Sequence, residues 1–261
     1  TLAKMAPGTD GNLITYDAAG NPAAVATGSA TAAYSDDGIT WVTSTMPSSG
    51  TWTDVTYGEG KFVAVQAGSA TVAISLDGVE WDITGTLNNT GHTRIEYGKG
   101  LFVAIKPSST VVEYSTDALT WTAATLPASR AWTDVAWGNG HFVAVASDNN
   151  TGAMSLDGAT WVAMPMGAPD STAVSGLQRV EYGQGQFVVL SGSDQQSAVT
   201  TNGSAWTLYL NALPAGEYDW AGFAYGDNRF IGVTFSGKTV YSLDKGQTFK
   251  LGTQIPQLDG V

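Results

Sequence analysis

The stretch TWTDVTYGEGKFVAVQAGSATVAISLDGVEWDITG, residues 51–85, decides the fold. Apolar and polar residues alternate in four short segments of this stretch, and glycine-rich or small polar turns separate the segments, which is the pattern of antiparallel strands. Related copies begin at His92, Ala131, Leu177 and Trp220. The sequence is therefore an internal repeat in which each unit carries four predicted strands.

Two aromatic markers measure the repeat, one before the first glycine turn and one at the end of the unit. They stand 24 residues apart in the five full copies: Tyr57 and Trp81, Tyr97 and Trp121, Trp137 and Trp161, Tyr182 and Trp206, Tyr225 and Phe249. An atypical copy opens the chain, with Tyr16 and Trp41 separated by 25 residues. A unit of about 40 residues with four strands is typical of a propeller blade. We therefore predict an all-β, six-bladed β-propeller with four antiparallel strands per blade; a β-sandwich or a stacked solenoid is the alternative.

The repeat boundaries predict a short N-terminal lead-in, residues 1–7, and one propeller domain over residues 8–261. The six blades are expected at approximately 8–46, 47–86, 87–126, 127–166, 167–212 and 213–261. The chain contains no cysteine, so strand pairing and packing rather than disulfides have to hold these blades together.

Composition excludes several functions. Eleven basic against 23 acidic residues leave a net charge of −12, which repels phosphate backbones and anionic lipids, so neither a nucleic-acid partner nor membrane insertion is expected. The absence of cysteine and the presence of only two histidines argue against thiolate or histidine-rich metal centres and hydrolytic triads. We therefore predict no cofactor and no metal, and an enzymatic activity is not expected.

The end of each unit carries a Ser-x-Asp-like segment: SDDGITW, SLDGVEW, STDALTW, SLDGATW, TNGSAW and SLDKGQTF. These segments resemble the Asp box of sialidase-like propellers, which implies a turn between strands three and four of each blade. The carboxylate of such a turn accepts backbone N–H groups, and glycine supplies positive φ. The predicted structural positions are Asp37, Asp77, Asp117, Asp157, Asn202 and Asp244. The turns with Asn202 and with Ala118 in place of glycine should be the weakest.

A sialidase activity is a poor fit to the arginines. The resemblance to sialidases implies three arginines that grip a carboxylate, a Tyr/Glu nucleophile pair and an acidic proton donor. The chain has four arginines, and none lies in the local motif context of that family. Arg94 and Arg179 could share a channel, but Arg229 falls in a turn on the opposite rim.

The loops between blades are the predicted binding face. The spacing from each second marker to the next first marker varies, at 16, 16, 16, 21 and 19 residues, whereas the spacing within units is nearly constant. Variable loops on a rigid scaffold commonly carry function. The candidate ligand-binding residues are Arg130, Trp132, Asp170, Tyr218 and Trp220, with Arg94 and Arg179 near the channel mouth.

Two of these groups have a structural alternative. Trp52, Trp132 and Trp220 occupy equivalent positions and suit either packing between blades or stacking against sugars. Arg94 and Arg179 alternate with Asp54 and Asp134, which indicates either a ring of ion pairs between blades or a polar pocket.

The N-terminal segment APGTDGNLITYDAAGNPAAVATGS, residues 6–29, closely resembles a segment of tailed-bacteriophage tail-fibre and tail-spike proteins. The WxxVxYGxGxFVAV pattern of the repeats is also similar to phage tail proteins. This resemblance implies a receptor-binding module in the virion tail, with a bacterial surface glycan or protein as ligand, other tail proteins as partners and a homotrimer as one assembly. A glycan-degrading tail enzyme and a structural tail spacer are the alternatives.

Overall fold

The computed structural model describes residues 13–16, 21–25, 27–36, 40–148, 151–166, 176–216 and 218–253. All regular elements of these residues are β-strands, which confirms the all-β class. The first strands are β1 (Leu13–Tyr16), β2 (Pro22–Val25), β3 (Thr27–Tyr34), β4 (Val42–Gly58), β5 (Lys61–Ala67), β6 (Thr71–Ser75) and β7 (Asp82–Thr86). They are followed by β8 (Arg94–Gly98), β9 (Leu101–Ile105), β10 (Ser109–Ser115), β11 (Thr122–Arg130), β12 (Trp132–Gly138), β13 (His141–Ala146), β14 (Thr151–Ser155) and β15 (Trp161–Pro165). The last strands are β16 (Leu177–Gly183), β17 (Gln186–Ser191), β18 (Ser197–Thr200), β19 (Thr207–Tyr209), β20 (Trp220–Gly226), β21 (Arg229–Thr234), β22 (Thr239–Ser242) and β23 (Lys250–Leu251).

The strands form five sheets, so the prediction of six blades is wrong. Four sheets are antiparallel meanders of four strands each, β8–β11, β12–β15, β16–β19 and β20–β23. The first sheet runs continuously from β1 to β7. The first repeat therefore has no separate sheet of its own.

Strand β4 is the reason for this difference. Its 17 residues pair with β3 through the N-terminal half and with β5 through the C-terminal half. The predicted blade boundary between residues 46 and 47 falls inside β4, where Pro47 and Gly50 do not interrupt the strand. The pairing of β3 with β4 instead shifts register near Ser29, which accommodates the local irregularity as a bulge.

Contacts divide the described chain into two compact units. The first holds the residues up to Lys106 together with Val111–Ala124, and the second holds Pro107–Thr110 and the residues from Thr125 onward. In the first unit, Phe62 and Phe102 are each buried at the centre of an apolar cluster. In the second unit, Phe187 and Phe230 have the same role. Each phenylalanine contacts the first aromatic marker of its own repeat, as Tyr225 does with Phe230 at 4.9 Å between ring centroids.

The Ser-x-Asp turns connect the third and fourth strands of their repeats. In the turn after β6, the Asp77 Oδ1 accepts the N–H groups of Val79 at 2.8 Å and Glu80 at 2.9 Å. The Trp81 indole N–H donates to the carbonyl of Gly78 at 3.0 Å, and this bond holds the indole ring against the turn. Asp117 and Asp157 accept equivalent bonds, and the turn predicted at Asp37 lies outside the described residues.

Candidate functional site

The predicted stacking aromatics are buried. Trp132 and Trp220 have 2% and 1% of their surface exposed, and their indole N–H groups donate to the carbonyls of Ser109 and Ser191. Tyr218 lies parallel to Trp220, with ring centroids 4.7 Å apart, and its hydroxyl donates to Pro214 O. Trp52 is buried as well. Burial supports the packing interpretation of these residues and leaves no open ring face for a sugar.

The remaining predicted residues are Arg130, Asp170, Arg94 and Arg179. Arg130 ends β11 and is half-buried, with its Nε enclosed. Asp170 lies outside the described residues. In the first unit, Arg94 donates to the carbonyl of Thr93, which directly precedes β8, and to the carbonyl of Thr53 in β4.

Arg179 has an equivalent structural role in the second unit. Its guanidinium donates to the carbonyls of Trp220 and Ala221 and to that of Gln178. The carbonyls of Trp220 and Ala221 lie at a bulge, since the pairing of β20 with β21 shifts register between Trp220 and Gly222. Arg179 thus satisfies backbone carbonyls that the bulge takes out of the ladder.

Two acidic residues lie close to Arg179. Glu181 is two positions further along β16, and Asp134 bonds to Val180, the residue between Arg179 and Glu181. The Asp134 Oδ2 accepts the N–H of Val180 at 3.0 Å, which ties β12 to β16. Glu181 accepts the N–H of Tyr182 at 3.1 Å. Burial and, next, the negative charge of Asp134 raise the pKa of Glu181 to about 8. The raised pKa favours the protonated form of Glu181 at neutral pH, and Asp134 serves as a backbone acceptor.

A separate polar cavity of about 610 Å³ lies at the turns of the last two sheets, on the tight-turn side of the repeats rather than on the predicted inter-blade loops. We call it the amide cavity; it is lined by Gln184, Tyr225, Asn228, Leu243, Asp244, Lys245 and Gln247. The cavity is shallow and widely open to solvent. All seven residues belong to the second unit.

Local packing positions the aromatic wall of this cavity. A Cβ added at Gly183 would lie 2.3 Å from the Tyr225 ring, so the ring rests directly on the glycine backbone. Phe230 supports it from within its own sheet. The same contact recurs where Tyr182 meets Gly138 and where Tyr97 meets Gly58, which makes the placement of Tyr225 a consequence of the repeat.

Hydrogen bonds order the polar wall. The Gln184 side-chain N–H donates to the Asn228 backbone carbonyl at 2.8 Å and to its Oδ1 at 2.9 Å, which joins the two turns. Burial raises the pKa of Asp244, but bonds from the Thr248 hydroxyl and N–H and from Ser242 together hold it below its usual value. Gln186 donates to the carbonyl of Lys245, which fixes the position of the third turn.

The sequence did not predict this cavity, because the variation in loop length that indicates a binding face occurs in the inter-blade loops and not in these turns. The available signal was the last Ser-x-Asp segment, SLDKGQTF, which is longer than the other copies and contributes Leu243, Asp244, Lys245 and Gln247. The amides Gln184 and Asn228 lie in first turns of otherwise regular repeats. Only their juxtaposition across two sheets makes them a site.

His92 forms a buried network in the first unit. The Glu113 carboxylate accepts both N–H groups and both side-chain amides of Asn88 and Asn89, at 2.7–3.0 Å. The His92 Nε2 lies 3.7 Å from Glu113 and both side chains are fully buried. Burial lowers the pKa of His92 to about 4 in spite of Glu113, so this histidine is neutral at pH 7. The network tethers the segment before β8 to β10.

Across the described ranges, no group of three or more His, Asp or Glu side chains is arranged to hold a metal ion. No helix in that part of the chain is long and apolar enough to cross a bilayer.

Comparison with known proteins establishes the class of the fold, an all-β propeller. Virginiamycin B lyase from Staphylococcus aureus aligns with a TM-score of 0.79 at 12% identity, over 96% of this chain and 87% of the lyase. YCF48 bound to D1 peptide aligns with a TM-score of 0.69 at 18% identity, over 94% and 81%. YCF48 from Cyanidioschyzon merolae gives 0.64 at 14% identity, over 95% and 87%.

No protein-family model matches the sequence, and no curated protein matches it. At identities of 12–18% the structural likeness concerns the fold alone. The Asp-box and tail-fibre resemblances therefore stay predictions.

Proposed function

We propose that this chain is a receptor-binding module of a bacteriophage tail that recognises a bacterial surface glycan through the amide cavity. The cavity is the observation that carries the binding role: Tyr225 contributes an aromatic ring to its lining, and Gln184, Asn228 and Gln247 contribute side-chain amides. Sugars present the matching combination of C–H faces and hydroxyl groups. The tail assignment is supported by the resemblance of residues 6–29, and the Asp-box assignment by the Ser-x-Asp turns.

Weak single sites suit such a role when many copies act together. A sugar bound in an open polar cavity exchanges water hydrogen bonds for protein ones, so the net gain per bond is small. Several copies on one virion raise the overall avidity through effective concentration. A homotrimer in the tail would provide this multiplicity.

The test measures retention of the labelled chain on a panel of bacterial cells and on their isolated surface polysaccharides. We expect saturable retention without release of reducing ends. Gln184→Ala should weaken retention roughly fivefold, the equivalent of one hydrogen bond. Asn139→Ala is the matched control, because Asn139 occupies the same position in the turn between β12 and β13, away from the cavity. Retention on no strain would reject the proposal.

A second candidate is a glycan-degrading tail enzyme, favoured by the neighbouring carboxyl groups of Glu181 and Asp134, of which Glu181 has its pKa raised to about 8. Glycosidases use one protonated and one ionised carboxyl group. In the same experiment, reducing ends that appear with the wild-type chain and disappear with Glu181→Gln would establish this alternative. Neither retention nor cleavage would favour a structural spacer.

A further inference from the structure

We infer that the amide cavity selects an uncharged, N-acetylated sugar; this inference rests on the proposed function and specifies its ligand. The charges of the lining decide against an ionic ligand. Asp244 is the one carboxylate of the lining and Lys245 the one ammonium group, so the formal charges of the cavity cancel. The whole chain carries −12, which further disfavours an acidic sugar.

The hydrogen bonds that Asp244 accepts within its own turn support this conclusion. Its Oδ1 accepts the N–H of Thr248 at 2.9 Å and the hydroxyl of Ser242 at 2.8 Å, and its Oδ2 accepts the Thr248 hydroxyl at 2.6 Å. Asp244 is thus used in closing its own turn. The ligand-facing chemistry of the cavity is left mainly to neutral amides.

Three side-chain amides line the cavity. Gln184 gives its side-chain N–H groups to Asn228, which leaves its Oε1 as an acceptor for a ligand. The Asn228 Oδ1 accepts Gln184 and the Tyr225 hydroxyl at 3.4 Å, which leaves its Nδ2 as a donor. Gln184 and Asn228 orient each other, so these two amides are preorganised before any ligand arrives. A secondary amide, which also has one N–H and one C=O, is the ligand group that pairs with such a surface in both directions. An acetamido substituent on a sugar is that group.

Apolar surface beside the amides matches the rest of an acetamido sugar. The Leu243 side chain is 58% exposed on the turn that forms one wall, and the Tyr225 ring forms another. An acetamido methyl and the C–H face of a pyranose ring would each cover apolar surface that is otherwise in water. A plain hexose lacks both the methyl group and the amide N–H and C=O that would bond to the cavity.

The test is a titration of the full chain with N,N′-diacetylchitobiose and with cellobiose, monitored by the NMR shifts of the amide signals. The two sugars differ only in that the first carries acetamido groups where the second carries hydroxyl groups. A third titration uses cellobiouronic acid. We expect diacetylchitobiose to bind about fivefold tighter than cellobiose and tighter than the uronate. The side-chain amide signals of Gln184, Asn228 and Gln247 should move.

Two variants complete the test. Gln247→Ala should reduce affinity for diacetylchitobiose about fivefold, and Asn139→Ala should leave it unchanged. Equal or weaker affinity for diacetylchitobiose, shifts away from the cavity, or no binding of any disaccharide would overturn the inference. If cells still retain the chain in a Gln184-dependent way, the proposed function survives that result. If diacetylchitobiose binds but no strain retains the chain, the receptor role fails and the sugar preference stands.

Discussion

Left-handed backbone positions show at the residue scale why the turns need particular residues. Gly78, Gly158 and Gly203 have φ between +71° and +76° at equivalent positions, and Ala118 has φ of +62° at the same place in its turn. A side chain in this region costs about 1–2 kcal/mol. The predicted weakness of the Ala118 turn thus has a physical basis, although its hydrogen bonds are as short as those of the Asp77 turn.

Alanine at two of these glycines separates backbone strain from steric overlap. Gly203→Ala should destabilise the chain by about 1–2 kcal/mol, because its new Cβ has no neighbour closer than 3.4 Å and only the backbone is strained. Gly78→Ala should cost about 2–4 kcal/mol, since its Cβ would lie 2.5 Å from the Tyr34 ring. Urea unfolding measures both changes. Equal losses would contradict the steric argument.

Asn202 offers a gain-of-stability test. Its Oδ1 accepts the N–H groups of Ser204 at 3.0 Å and Ala205 at 3.4 Å, longer on average than the bonds to Asp157 at 3.0 and 2.7 Å. Asn202→Asp should stabilise the chain by about 1 kcal/mol at pH 7, because charged acceptors form stronger bonds. A folded pKa below 3.8, as for Asp157, means that the gain exists above pH 4 and disappears as the pH falls through the folded value.

Thermal unfolding at pH 7 and pH 2.5 measures this difference, and Asp157→Asn is the reverse control. A gain that persists unchanged at pH 2.5 would show that the carboxylate charge is not its cause.

At the scale of elements, the first strand of four repeats carries a bulge, and the residue before the bulge has a different role from the residue after it. Register shifts occur at Trp52/Asp54, Trp132/Asp134, Leu177/Arg179 and Trp220/Gly222. The apolar residue before each shift is buried in the sheet packing. In three of the four cases the residue after the shift is polar and binds a neighbouring strand, as Asp54 does with the N–H of Ile95 at 2.8 Å; in the fourth it is Gly222. The sign alternation seen in the sequence therefore serves backbone capping.

Truncation of Trp220 tests this assignment. Trp220→Ala should lower the free energy of unfolding by about 3–5 kcal/mol, because it empties a buried aromatic site. Chemical unfolding gives the loss directly. Trp220→Phe is the control, since it retains most of the volume and loses only the bond to Ser191. A Trp220→Ala chain with normal stability and weakened cell retention would instead support the original stacking hypothesis.

At the scale of the whole molecule, the pH dependence of stability should have two limbs. The pKa values of Asp77, Asp117, Asp157 and Asp244 are lowered, so their stabilisation is present above pH 4 and is lost in acid as the pH falls through the folded values. The pKa of Glu181 is raised from 4.5 to about 8, so its contribution is complete below pH 4.5, declines as the pH rises from 4.5 to 8 and is lost above 8.

Melting temperatures from pH 3 to pH 9.5 measure both limbs. Glu181→Gln should remove much of the decline between pH 4.5 and 8, because a neutral amide has no proton to lose at this partly buried position, and it should leave the acid limb in place. Glu80→Gln, at an exposed turn position, is the control. If the decline between pH 4.5 and 8 is unchanged in Glu181→Gln, other groups cause it.

The sequence alone determined the all-β class, the repeat and the bonding role of the Ser-x-Asp turns, because strand alternation and turn chemistry act between residues close in the chain. It did not determine the number of sheets, since whether residues 46 and 47 end one strand or continue it depends on which strands pair with β4. It also did not reveal the amide cavity. Gln184, Asn228 and Lys245 come from three separate turns, and only the packing of one sheet against the next places them together.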